Sequence, residues 1–114
     1  MSKEITILLP QTATVGSFTS PKQQGAGYHR YNDGLHTFVI TFAEWTGELT
    51  LQGTLALYPG DNDWFTLKDL DNQDIGYTSA TDGAVTVSSR GNFVWLRAVG
   101  AITAGEITEI SYNY

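Results

Sequence analysis

The stretch His36-Thr37-Phe38-Val39-Ile40-Thr41-Phe42 alternates strictly, with Phe38, Ile40 and Phe42 on one face of an extended chain and Thr37, Val39 and Thr41 on the other. Side chains reverse direction at every residue of a strand, so this pattern buries one face of a sheet, which a helix cannot do with the same spacing. The same period returns downstream. Past a tight connection at Trp45-Thr46-Gly47, the segment from Glu48 to Leu57 sets Leu49, Leu51, Leu55 and Leu57 on one face. Gly53 falls within that series, where a missing side chain signals a bulge or a close neighbour. Pro59-Gly60-Asp61-Asn62 reads as a turn before a short strand from Asp63 to Leu67.

Asp69 to Asp74 is an acidic loop, Ile75 to Tyr77 a brief pairing segment, and Asp82-Gly83 the next turn. Ala84 to Ser88 carries Val85 and Val87 inward, and Arg90-Gly91-Asn92 turns again. The last two strands run from Asn92 to Val99 and from Glu106 to Tyr112, around a loop from Gly100 to Gly105. Upstream, Glu4 to Leu9 is a first strand with Ile5, Ile7 and Leu9 on one face, and Tyr28 to Tyr31 a short edge strand before the Asn32-Asp33-Gly34 turn. Between them, residues 10–27 are polar and interrupted by Gly16, Pro21, Gly25 and Gly27, which predicts an extended loop or arm with little of its own to bury.

About eight short strands at this turn spacing predict a single all-β domain over residues 1–114, an antiparallel β-sandwich of jelly-roll type. Its expected core is Phe38, Ile40, Phe42, Leu49, Leu51, Leu55, Val85, Val87, Val94 and Leu96.

Composition narrows the function. A chain of 114 residues fits one compact domain. Six Lys and Arg against twelve Asp and Glu leave a net charge of −6, which repels a phosphate backbone, so nucleic acid is not an expected partner. No apolar run is long enough for a membrane-spanning helix, and Met1-Ser2-Lys3-Glu4 lacks the apolar stretch of a secretory signal, so synthesis for the cytosol, or for something assembled there, is expected. The chain has no cysteine, which removes disulfides and thiolate chemistry.

Four segments stand out together: Thr50-Leu51-Gln52-Gly53-Thr54-Leu55, then Trp64 after a polar turn, then Asn92-Phe93-Val94-Trp95-Leu96-Arg97-Ala98-Val99, and Thr103-Ala104-Gly105 before the alternating strand Ile107 to Tyr112. Their succession resembles the small β-sandwich structural proteins of tailed-bacteriophage particles. In such proteins a leucine-glutamine-glycine-serine strand precedes a tryptophan, and a valine-arginine-alanine strand leads into a small-residue loop. Here Thr54 stands for the serine, and Ala56-Leu57 for the acidic residue that often follows. The resemblance covers Phe38 to Tyr112 and implies a non-enzymatic virion protein of decoration, neck, tail or fibre type, assembled in the host cytoplasm. Its implied partners are capsid or tail proteins, and it implies no cofactor.

The candidate site is the strand Asn92 to Val99. Val94, Leu96 and Ala98 suit one face, yet Phe93, Trp95 and Arg97 on the other are too large and apolar for plain solvent. Aromatic residues and arginine are enriched at interface cores, which makes this face a candidate subunit interface, against the alternative of a core tryptophan with an internally paired arginine. Such an interface, together with the arm, predicts a homo-oligomer, with a trimer favoured. A second function class is a carbohydrate- or receptor-binding module that stacks glycans on Trp45, Tyr58 and Trp64, with Trp45 expected to be exposed and Trp64 to plug the core. Asp61, Asp63, Asp69, Asp71 and Asp74 have oxygen ligands that suit calcium, but the spacing lacks the glycine and distal glutamate of an EF-hand, so they read as turn-forming aspartates and no metal is expected. His29 and His36 are too few for a metal site, and Glu44 and Glu48 read as surface residues without a substrate cleft.

Overall fold

The computed structural model describes residues 6–9, 15–28, 34–78 and 80–113, and among these there is no helix. The strands in chain order are β1 (Thr6–Leu9), β2 (Gly16–Thr19), β3 (Gln23–Gln24), β4 (Leu35–Thr54), β5 (Phe65–Thr66), β6 (Gly76–Tyr77), β7 (Thr81–Arg90) and β8 (Trp95–Asn113). The antiparallel pair β4 and β8 is the spine, in register from Thr37 opposite Asn113 to Thr54 opposite Trp95. β7, β6 and β5 line the free edge of β4, while β1, β2 and β3 line the free edge of β8.

Twenty residues of straight strand would reach about 65 Å, but the molecule is only 38 Å in its longest dimension. The spine is therefore folded in half. The register shifts between Thr41 and Phe42, between Ala43 and Thr46, and between Thr46 and Gly47, and Glu44 adopts a left-handed φ of 48°. Bulges of this kind bend a strand and sharpen its twist. The two ends of the spine then meet: the ring of His36 at the start of β4 lies 5.3 Å from that of Phe93, just before β8, and the Tyr112 hydroxyl near the end of β8 donates to the Gln24 carbonyl in β3. The expected all-β sandwich is present, and its two layers are halves of one continuous sheet.

The bulge also resets which residues face inward. Phe38, Ile40 and Phe42 point into the core before it; Trp45, Leu49 and Leu51 do so after it. β8 answers with Leu96, Ala98, Ile102, Ile107, Ile110 and Tyr112, and Leu67, Ile75 and Phe93 close the remaining space. Gly53 is the close-neighbour case: a Cβ there would lie 2.8 Å from Leu67 and 3.2 Å from the Phe93 ring.

Several expectations are corrected. Trp45-Thr46-Gly47 and Gly100 to Gly105 are not connections between strands; β4 and β8 run through them, bent, because a bulge and a turn both invert alternation. Asp82-Gly83 likewise lies inside β7. Leu55 is not in the core but 64% exposed, and Leu57 is 51% exposed, since β4 ends at Thr54 and the alternation loses its sheet. Val94 is half-buried and Phe93 takes the core position. Val85 and Val87 pack against the core while remaining partly exposed.

The segment expected as an arm folds back on its own sheet. Gly16–Thr19 pair with Ile102 to Val99, and Gln23 and Gln24 with Leu96 and Trp95. Where Pro21 interrupts the ladder, the buried Ser20 bridges it: its N–H donates to the Ala98 carbonyl and its hydroxyl accepts the Ala98 N–H, both at 2.8 Å. Residues 10–14 of that segment, His29 to Asp33 and Ile5 lie outside the described residues.

Candidate functional site

The first residues of β8 carry the candidate site. Because β8 alternates, Leu96 and Ala98 enter the core while Trp95 and Arg97 stand on the outer face, each half-buried. Phe93 does not share that face, since the chain changes register before Trp95 and its ring goes to the core. The structure thus brings Trp95 and Arg97 together and separates Phe93 from them.

Two segments of the same chain cover this outer face. Opposite Arg97 in register is Gln52, whose Oε1 accepts the Arg97 Nε–H at 2.8 Å. The guanidinium then lies 4.2 Å from the centroid of the Trp64 ring, a cation–π stack. Trp95 donates its indole N–H to the Leu57 carbonyl at 2.9 Å, its ring lies 5.1 Å from that of Tyr28, and the Lys22 ammonium sits 4.7 Å from its centroid. Trp95 and Arg97 are accordingly the platform on which residues 55–64 are laid.

That loop is held at its base and turns its apolar side chains outward. The Ala56 N–H donates to the Thr54 hydroxyl at 3.2 Å, Trp95 holds the Leu57 carbonyl, and the Gly60 N–H donates to the Asp63 carboxylate at 2.7 Å. Leu55, Leu57 and Tyr58 remain exposed, Tyr58 at 88%. Phe65, just beyond the loop, is also exposed, and a cavity of about 470 Å³ opens between Phe65, Leu70 and Phe93, lined as well by Lys68, Asp69 and Arg90. Exposed leucines on a pinned loop lose little conformational freedom on docking, which favours association with another apolar surface.

The glycan platform does not form. Trp45 is fully buried rather than exposed, packed 4.8 Å from the ring of Phe42, because the bulge turns it inward. Its indole N–H has no acceptor among the described residues. Trp64 is not the core plug expected; it lies partly exposed with Arg97 over its ring. Of the three aromatics, only Tyr58 stands open.

The aspartates mostly hold their own loops. Asp69 accepts the N–H groups of Asp71 and Gln73 at 2.9 and 3.0 Å, Asp63 closes the Gly60 turn, and Asp74 pairs with Lys68 at 2.6 Å. Among the described residues, no three His, Asp or Glu side chains gather to hold a metal ion. His36, considered above only as a ligand, is a buried structural group. Its Nε2 accepts the Ala26 N–H at 3.0 Å, so its Nδ1 carries the proton and donates to the Gly34 carbonyl at 3.0 Å. Its place at the inward parity of Phe38 and Ile40 was the available signal.

No protein-family model and no curated protein matches this chain. The crystal structure of the SPBc2 prophage-derived protein YomS is similar to it, with a TM-score of 0.63 over 96% of this chain and 89% of that one, at 10% sequence identity. At that identity the shared property is the fold. The likeness extends over nearly the whole of both chains, so it includes the folded spine and the segments laid along its edges.

Proposed function

We propose that this protein is a non-enzymatic structural component of a bacteriophage particle, which docks on other virion proteins through residues 55–58. The observation that carries the reading is the loop itself: Leu55, Leu57 and Tyr58 are exposed together, on a backbone pinned by Trp95, Thr54 and Asp63. Large apolar side chains gathered on one exposed loop mark association sites, and a tyrosine on a fixed backbone is a frequent anchor of such interfaces. The phage context is supported by the sequence resemblance and by a fold shared with a prophage-derived protein. The partner is a capsid or tail protein, or further copies of the chain in a trimer. An interface of standard size takes about 800 Å² from each side.

Sedimentation velocity on the full chain, alone and mixed with tailed-phage particles purified from its own host, tests this. The expected result is a wild type that sediments with the particles and a Leu57→Ser/Tyr58→Ala variant, equally stable, that does not. A trimer in the absence of particles that the same variant dissociates would assign the loop to copies of the chain. A monomer that ignores the particles would overturn the reading.

A further inference from the structure

β7 is an outer strand of the sheet. β4 occupies one of its edges from Thr81 to Arg90, whereas on the other edge the described residues supply a single bridge, between Asp69 and Ser89. From Gly83 to Ser88 that second edge has no strand partner among the described residues. A free edge is a row of unpaired N–H and C=O groups, which proteins blunt with lysine, proline or a bulge. Past Gly83, which has a φ of 87° and sits at the register shift between Phe42 and Trp45, none of these is present: Ala84-Val85-Thr86-Val87-Ser88 has no charge and no proline, and it keeps unbroken register with β4 from Thr41 opposite Ala84 to Thr37 opposite Ser88. Val85, Thr86 and Val87 are β-branched, which favours the extended conformation that an added strand needs.

An acidic crevice opens at each end of this edge, with Arg90 closing the strand and Lys68, ion-paired with Asp74, beside the second crevice. A crevice of about 360 Å³ at the N-terminal end is lined by Glu44, Trp45, Ala80, Thr81 and Asp82. One of about 310 Å³ at the C-terminal end is lined by Asp69, Leu70, Asp71, Thr86, Val87 and Ser88. Each has two carboxylates and no basic residue in its lining. Asp82 and Ser88 are six positions apart, about 20 Å of extended chain.

We propose that the free edge of β7 accepts an extended segment of a partner protein as an added strand, uncharged over about five residues and bearing a lysine or arginine toward each end. The backbone groups of Gly83 to Ser88 would bond the added strand, and the two acidic crevices would fix its position through its basic ends. A second copy of β7 fits less well. Antiparallel pairing about Val85 would set Asp82 of each copy opposite Ser88 of the other, beside Asp69 and Asp71, and like charges across a strand pair destabilise it. This edge is distinct from the loop at residues 55–58, and the proposal stands without that loop.

The test uses the full chain and two capped synthetic heptapeptides, Lys-Thr-Val-Ser-Val-Thr-Lys and the same sequence with glutamate at both ends. The lysine peptide is expected to bind about tenfold or more tightly than the glutamate peptide at low salt, with the difference shrinking as salt is added. Amide shifts and slowed amide exchange in the protein should be confined to residues 81–89 and to the crevice residues Glu44 and Asp69 to Asp71. Asp71→Asn and Asp82→Asn together should weaken the lysine peptide several-fold while leaving the melting temperature in place. The amide oxygen introduced by Asp82→Asn can still accept the Glu44 N–H, which the carboxylate accepts in the wild type. Absence of binding, equal binding of both peptides, shifts located elsewhere, or a dimer of the chain formed through β7 would each overturn the proposal.

Discussion

Arg97 and Trp64 meet face to charge: the guanidinium carbon lies 4.2 Å from the ring centroid, while the Arg97 Nε is bonded to Gln52 across the strand pair. The contact joins the rigid spine to the end of the exposed loop. It makes Arg97 a support for residues 55–64.

Arg97→Ala should therefore uncover Trp64 at modest cost, about 1 kcal/mol for one partly exposed cation–π contact. Tryptophan emission should shift to the red, and backbone amides of residues 55–64 should exchange faster. Arg97→Lys keeps the charge but loses the flat face and the Nε donor, and should recover only part of the change. Unchanged emission in Arg97→Ala would contradict the stacking.

Leu51→Ala and Leu55→Ala separate the two sides of the β4 terminus. Leu51 is fully buried after the bulge, and its truncation should cost about 2–5 kcal/mol. Leu55, with identical chemistry, is exposed and should change stability by no more than about 0.5 kcal/mol. Urea unfolding of the two variants measures the contrast, and similar losses would contradict the end of the strand at Thr54.

Much of this architecture is legible in the chain, within limits that have physical causes. Phe38, Ile40 and Phe42, then Leu49 and Leu51, announce their faces because both runs lie in regular strand. The junction between them is not legible: a bulge at Ala43 to Gly47 inverts alternation as a turn does, so a continuous bent strand reads as two strands, and Trp45 reads as exposed. Leu55 and Leu57 continue the period of Leu49 and Leu51, and nothing local records that the sheet has ended. The segment around Gly25 and Gly27 packs backbone against backbone. A Cβ at Gly27 would lie 1.9 Å from the Asn92 carbonyl oxygen, a contact without any apolar signature, so the stretch reads as a polar arm. At the candidate site, the unusual character of Trp95 and Arg97 was visible, whereas their cover by residues 20–28 and 55–64 depends on tertiary structure.

His36→Ala should be costly for a histidine. It leaves the buried Ala26 N–H without its acceptor and empties the space between Phe38, Phe93 and Tyr112. An unmet buried donor and the accompanying cavity together predict a loss of about 3 kcal/mol. Equilibrium unfolding in urea measures it, and a loss under about 1 kcal/mol would remove His36 from its structural role.

Tyr77 gives stability an alkaline limit. Burial, and then the negative charge of Asp69, raise its phenol above the ordinary value of 10.0. The folded state thus holds the phenolic proton more tightly than the unfolded chain does. The resulting stabilisation is complete below the ordinary value and is lost as pH rises through the raised one. Between about pH 9 and pH 11 the wild type should lose more stability than Tyr77→Phe, which has no proton to release. Parallel losses in urea unfolding across that range would contradict the assignment.

Hydroxyl-radical footprinting of the chain, free and bound to purified phage particles, tests the docking surface most directly. Leu55, Leu57 and Tyr58 should be oxidised readily in the free protein and several-fold more slowly on the particle. Val15, equally exposed but placed beside Gly16 at the far end of the β2 pairing, should react alike in both states. A bound chain in which Tyr58 and Leu57 are oxidised as fast as in the free protein would contradict docking through this loop.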